Sequence, residues 1–148
     1  MRPSSPWQMA SVLALAASLT VLPPGAAAGA TSASCGDILE TLHRKPPGLR
    51  FIGCEYLPDR QGKPLEATYR IPGRLAARAE RLLARSVGLP RLRRSCCQWD
   101  AQPHSFRGMD GRSHDIVMVS TETAARTRAA WASIPFFEVT VTTYTEEI

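Results

Sequence analysis

Four cysteines constrain this 148-residue chain more than any other feature: Cys35, Cys54, Cys96 and Cys97. What they can do depends on the compartment in which the chain folds, and the first residues speak to that. The chain opens MRPSSPWQMASVLALAASLTVLPPGAAAGATSASCGD. Arg2 and the terminal amine make a modestly positive start. Residues 9–22 are apolar or small and carry no charge, Pro23-Pro24 end the run, and small residues follow. This layout predicts a secretory signal peptide over residues 1–28, cleaved at a boundary between 28 and 30. The apolar run is short for a bilayer span, which disfavours an uncleaved anchor. A lipoprotein modified at Cys35 is disfavoured because Ser32 stands where a lipobox wants Leu. No later apolar run is long enough to span a membrane, so no stable membrane insertion is expected after cleavage. The expected location is periplasmic or secreted.

In such a compartment an even number of cysteines in a small chain reads as disulfides. Cleavage leaves about 118–120 residues, the size of one domain, here assigned to residues 35–148. A bridge between the neighbours Cys96 and Cys97 requires strained geometry. Two pairings are left: Cys35–Cys96 with Cys54–Cys97, or Cys35–Cys97 with Cys54–Cys96. Each bridge is expected to contribute on the order of 3–4 kcal/mol through the long loop it closes. Zinc would want cysteines spaced by two to four residues, and redox catalysis C-x-x-C; neither spacing occurs. No metal and no cofactor are expected.

Periodicity supplies the elements. Ser34 or Cys35 can start a short helix, with Asp37 in its first turn and Pro46-Pro47 beyond its end. LRFIGCEYL (49–57) alternates as a strand, with Ile52, Cys54 and Tyr56 on one face. After the turn PDRQGKP, the run LEATYRI (65–71) alternates again with Ala67, Tyr69 and Ile71 inward, giving a hairpin. Residues 73–90 form an amphipathic helix that Gly88 and Pro90 terminate. RLRRSCCQW (91–99) reads as one strand with Cys97 and Trp99 on the same face. A polar loop over 100–114, an apolar strand DIVMVS (115–120), a helix from Thr121 to about Ser133 and a strand over 136–147 complete the chain. In the last, Phe137, Val139 and Val141 point inward. The order αββαββαβ predicts an α+β fold: an antiparallel sheet of about five strands with helices packed on one face. A weak pseudo-repeat, a cysteine-bearing strand, a loop, an apolar strand and then a helix, would bring Cys54 close to the doublet.

Catalytic motifs are missing. There is no H-E-x-x-H, no G-x-S-x-G and no phosphate-binding loop. His104 and His114, with Asp100, Asp110 and Asp115, could form a site only if the 100–114 loop folded back on itself. Asp37 and Glu40 suit a helix start better than acid–base chemistry. The arginines are the sharper feature. All but Lys45 and Lys63 of the 18 basic residues are Arg, and the formal net charge is +5. Arg74, Arg78, Arg81 and Arg85 recur at helical spacing, and Arg91, Arg93 and Arg94 follow, with Glu80 the one offsetting acid. Such a stripe can engage an acidic protein surface or phosphates. No aromatic side chains are interleaved for base stacking, and an exported chain meets little nucleic acid, so nucleic acid is not expected as a partner.

The segments CGDILETL (35–42), FIGCEY (51–56), ATYRIPG (67–73), CCQW (96–99) and IPFFEV (134–139) together resemble a family of small exported bacterial proteins classed as a domain of unknown function. The resemblance implies no activity. By analogy of class, small exported disulfide-bonded domains often serve as inhibitors or immunity proteins against toxins. The leading expectation is therefore an exported binding protein whose contact surface is the arginine stripe or the 100–114 loop, and not an enzyme. The alternatives are a small secreted hydrolase using His104 or His114 with a loop carboxylate, or an envelope-structural protein.

Overall fold

A computed structural model describes residues 34–147 of the chain. The expected signal peptide and its cleavage boundary lie outside the described residues. The described residues all belong to one compact unit. Its elements run α1 (Ile38–Thr41), β1 (Arg50–Tyr56), β2 (Leu65–Pro72), α2 (Gly73–Val87), β3 (Arg93–Ser95), β4 (Gln98–Asp100), β5 (His104–Arg107), β6 (Ser113–Ser120), a 3-10 helix (Arg128–Ser133) and β7 (Phe136–Thr143). The α+β expectation holds in outline, with an antiparallel sheet of seven strands in place of about five.

The strand order is β1-β2-β7-β6-β4-β3, and β5 also pairs with β6. The last strand of the chain thus lies in the interior of the sheet, between β2 and β6. Its alternation is strict. Phe137, Val139 and Val141 are buried, as are Ala67, Tyr69 and Ile71 on β2 and Ile116 and Met118 on β6. Residues between them on each strand are more exposed. A period of two puts one set of side chains into the core and the other toward solvent.

α2 packs against β2, β7 and the 3-10 helix. Ala76, Ala79, Leu83 and Val87 form its buried stripe, spaced by three and four as a helix requires. Gly88 ends it in the left-handed conformation at φ 79°, with its N–H donating to the Ala84 carbonyl. Trp131 meets Trp99 edge-on at a centroid distance of 5.2 Å and Phe137 at 4.8 Å, making an aromatic centre beneath α2 and the 3-10 helix. α1 is tied to the sheet by the Leu39 N–H donating to the Tyr69 hydroxyl at 3.0 Å. Burial pushes that hydroxyl well above its ordinary pKa, so it stays protonated.

Three expectations are corrected. The segment 91–99 is not one strand but a hairpin: Ser95 pairs with Gln98, and Cys96-Cys97 are the two turn residues between β3 and β4. The 100–114 segment is not a plain loop, because β5 and the start of β6 occupy part of it. The helix expected from Thr121 forms only as the 3-10 helix from Arg128.

The disulfide pairing is corrected as well. Cys35 bonds to Cys54, and Cys96 and Cys97 are free and exposed. The strand order explains this. Cys54 sits on β1 at one end of the sheet, and the doublet caps the β3–β4 hairpin at the other. Five strand spacings of ~4.8 Å separate those edges, roughly 24 Å. No disulfide spans that distance. Cys35, just ahead of α1, reaches β1 with a Cα–Cα separation of 5.4 Å.

Candidate functional site

The helix that buries Ala76, Ala79 and Leu83 must show its other side to solvent. Arg74, Arg78, Arg81 and Arg85 all lie on that exposed side. Arg91 and Arg93 are exposed beyond the end of α2. Among the described residues, none of these six lies within 4.0 Å of a carboxylate. Glu80 does not offset them. It is 5 % exposed and turned into the protein. There it accepts from the Leu92 N–H at 2.8 Å and from Arg128 Nη2 at 2.8 Å, with a second, very short contact from Arg128 Nη1.

Arg94 does not join the exposed set. Its guanidinium donates to the carbonyls of Thr123 (3.3 Å) and Ala125 (3.0 Å), clamping the segment after β6. Arg128 was not legible as part of this region because its partners lie 36 and 48 residues away in sequence. It pairs with Glu80, donates to the Leu92 carbonyl at 2.8 Å, and stacks over the Trp131 ring at 4.6 Å. Together these groups border an open groove of about 360 Å³, lined by Ala77, Glu80, Arg81, Ala84, Arg91 and Arg128. Its small apolar floor is flanked by guanidinium groups. That arrangement suits a carboxylate-bearing side chain, which two guanidiniums can hold by charge-assisted hydrogen bonds.

The histidines occupy different ground. His114 is 1 % exposed. Its Nδ1 is 2.8 Å from Thr143 Oγ1 and its Nε2 is 3.1 Å from Asp110 Oδ1, and its ring stacks on Phe106 at 5.1 Å. Burial works against the Asp110 carboxylate, yet its bonds with His114 and the Arg112 N–H prevail and hold its pKa below the ordinary value. A His between an acid and a hydroxyl has the outline of a catalytic relay, but Thr143 is 3 % exposed, so the hydroxyl meets no substrate. His104 is half-buried against Gly88, the residue that caps α2. His43 is exposed after α1.

A larger depression, about 610 Å³, lies elsewhere and includes Ser105, Arg107, Ser113, Asp115 and Tyr144. Asp115 accepts there from Ser105 Oγ at 2.5 Å and from the Tyr144 hydroxyl at 2.7 Å. Strand alternation puts Ser105 and Asp115 on the opposite face of β5 and β6 from His104 and His114. The loop carboxylate exposed to this depression and the two histidines are therefore not brought together. Asp100 is on β4, paired with Arg93 and Val119 across the sheet. Among the described residues, no three His, Cys, Asp or Glu side chains gather into a metal-binding group.

A family model, described as a domain of unknown function (DUF4952), matches residues 25–99, just over half of the chain. The chain belongs to the DUF4952 family. Within the described residues, the DUF4952 match takes in α1, β1, β2, α2 and β3 and ends at Trp99 in β4. It therefore contains the whole exposed arginine set, the Cys35–Cys54 bridge and the cysteine doublet, while the strands carrying His104 and His114 lie beyond it. No curated protein and no solved structure matches the chain.

Proposed function

We propose that this DUF4952 protein is an exported binding protein whose outer α2 face docks an acidic segment of a partner protein. The observation that carries the reading is the set of six exposed arginines with no carboxylate within 4.0 Å among the described residues, two of which, Arg81 and Arg91, line the groove beside Ala77 and Ala84. A stripe that merely solvates a helix is commonly laced with acids three or four residues away. Here the single acid within α2, Glu80, is spent on Arg128 inside the protein. In this reading the helices cover one face of the sheet and hold the stripe outward. The groove between Arg81 and Arg91 takes a partner Asp or Glu, and the remaining arginines steer the approach of an acidic surface. Export rests on the leader pattern of residues 1–28, and the Cys35–Cys54 bridge fits an oxidising compartment. The partner would be a toxin or an envelope enzyme, with the protein acting as inhibitor or immunity factor.

The test compares the wild-type chain with a variant carrying Ser at Arg74, Arg78, Arg81, Arg85, Arg91 and Arg93, each immobilised and exposed to cell-envelope extract. The wild type should retain a partner that moderate salt releases and that the variant fails to hold. Equal recovery on both would remove the arginine face from the function.

The hydrolase reading is weaker. His114 is sealed in the core, and the exposed depression around Asp115 is on the other side of β6.

A further inference from the structure

Cys96 and Cys97 remain outside everything assigned so far, and their setting is unusual. They are the two turn residues of a tight hairpin, closed by the Ser95–Gln98 pair. Both are exposed, and their sulfurs are 2.8 Å apart. Two unbonded sulfur atoms normally sit a good deal further apart. Cys96 has φ 49°, a left-handed backbone that favours Gly, Asn or Asp and disfavours an ordinary side chain by roughly 1–2 kcal/mol. The turn is also held from below. The Cys97 carbonyl accepts from the Thr123 N–H at 2.7 Å, and Arg94 bonds the carbonyls of Thr123 and Ala125. The backbone thus fixes two solvent-facing thiols against each other.

We propose that Cys96 and Cys97 form a thiol–disulfide exchange site, which closes to a vicinal disulfide on reaction with an organic disulfide and reopens with thiols. The proposal stands apart from the arginine face and does not need it. The contact with the Cys96 sulfur holds the Cys97 thiol above its ordinary pKa, and the step is written with Cys96 as the attacking sulfur. The Cys96 thiolate attacks one sulfur of R–S–S–R. A protein–SR bond forms, the S–S bond breaks, and RS⁻ leaves and takes up a proton. Cys97 then loses its proton and attacks the Cys96 sulfur, expelling the second RS⁻. Two protein thiols are oxidised by two electrons, and one organic disulfide is reduced to two thiols. The ring so formed is strained: Cα atoms joined by a trans peptide are about 3.8 Å apart, inside the ~4.4–6.8 Å that disulfides favour. Strained, exposed bridges are the readily reduced ones. The exchange should therefore be reversible, whereas Cys35–Cys54, whose Cα atoms are 5.4 Å apart, acts as a structural bridge.

The experiment treats the full chain with oxidised glutathione, alkylates any remaining thiol and maps the tryptic peptide covering residues 95–107. The expected product lacks two hydrogens, carries no glutathione and takes no alkylating agent. Stepwise addition of reduced glutathione should restore both thiols at least tenfold earlier in concentration than it opens Cys35–Cys54. The variants C96S and C97S alter only an exposed turn, and each should stop at a single glutathione adduct. Two alkylated thiols, two glutathione adducts on the wild type, or a bridge between molecules would overturn the proposal. So would a doublet no easier to reduce than Cys35–Cys54.

Discussion

Glu80 occupies a helix otherwise lined with exposed arginines, and it is nevertheless buried. A carboxylate there is tolerable only because three donors meet it: the Leu92 N–H and both terminal nitrogens of Arg128. Deleting one member of a buried pair removes the attraction and leaves the other partners unmatched. In Glu80→Ala the Leu92 N–H loses its acceptor, and Arg128 faces the Trp131 ring without its counter-charge. The Arg128 side chain is 26 % exposed and can recover some hydration, which keeps the cost at the lower end for such pairs. The expected loss is about 3 kcal/mol, read as a lower urea midpoint with an unchanged slope. Glu80→Gln, which keeps an acceptor for Leu92, should lose less. Equal losses in the two variants would mean that the charge carries the whole effect and the acceptor for Leu92 contributes nothing. None of this was visible in sequence. Helical spacing shows that Glu80 is near the arginines but not which way it turns, and Arg128 arrives from 48 residues away.

At the scale of elements, Gly73 and Gly53 give opposite expectations. Gly73 begins α2 directly under the end of the 3-10 helix, and a Cβ there would collide with the backbone oxygens of Trp131 and Ile134. Backbone on both sides cannot swing aside as a side chain can. Gly73→Ala should cost about 3 kcal/mol of stability, despite the roughly 1 kcal/mol by which Ala favours a helix over Gly. Gly53, at the irregular step of β1, has nothing within 4 Å of the same position. Gly53→Ala should stay within about 0.5 kcal/mol of the wild type. Thermal melts of the two variants side by side test the packing of α2 on the 3-10 helix, and similar melts would refute it. Elements with a long, regular period were readable in advance: α2 through its apolar spacing and Gly88, and β2 and β7 through strict alternation. Failures came where tertiary bonds claim the backbone. After Thr121 the chain could have been helical, but the Thr123 N–H goes to Cys97, and the Ala125 carbonyl serves both Arg94 and the Trp99 indole. Those groups are then lost to a helix ladder. The doublet turn carries no Gly, Asn or Pro, so nothing in 91–99 announced a reversal.

Across the whole molecule, the sheet order decides which parts depend on the disulfide. β7 and β6 are paired on both sides, whereas β1 is an edge with Phe51, Ile52 and Tyr56 exposed. The pseudo-repeat suggested that the cysteine-bearing strands lie together; instead, the interior placement of β7 helps keep them at opposite edges. The single bridge therefore acts locally, tying the residue ahead of α1 to β1 across 19 positions. A loop of that size is worth about 3 kcal/mol in the chain-entropy model. The double variant Cys35→Ser with Cys54→Ser should unfold at a correspondingly lower denaturant concentration. The loss should also be uneven, because an edge held by few partners opens before a buried centre. Amide hydrogen exchange should accelerate first in α1 and β1, including the Leu39 N–H bonded to Tyr69, while amides of β6 and β7 keep the protection set by global unfolding. Uniform acceleration across all strands would show that the bridge supports the entire sheet and not its edge. An unchanged denaturation midpoint would show that pairing of β1 with β2 orders residues 35–54 without covalent help.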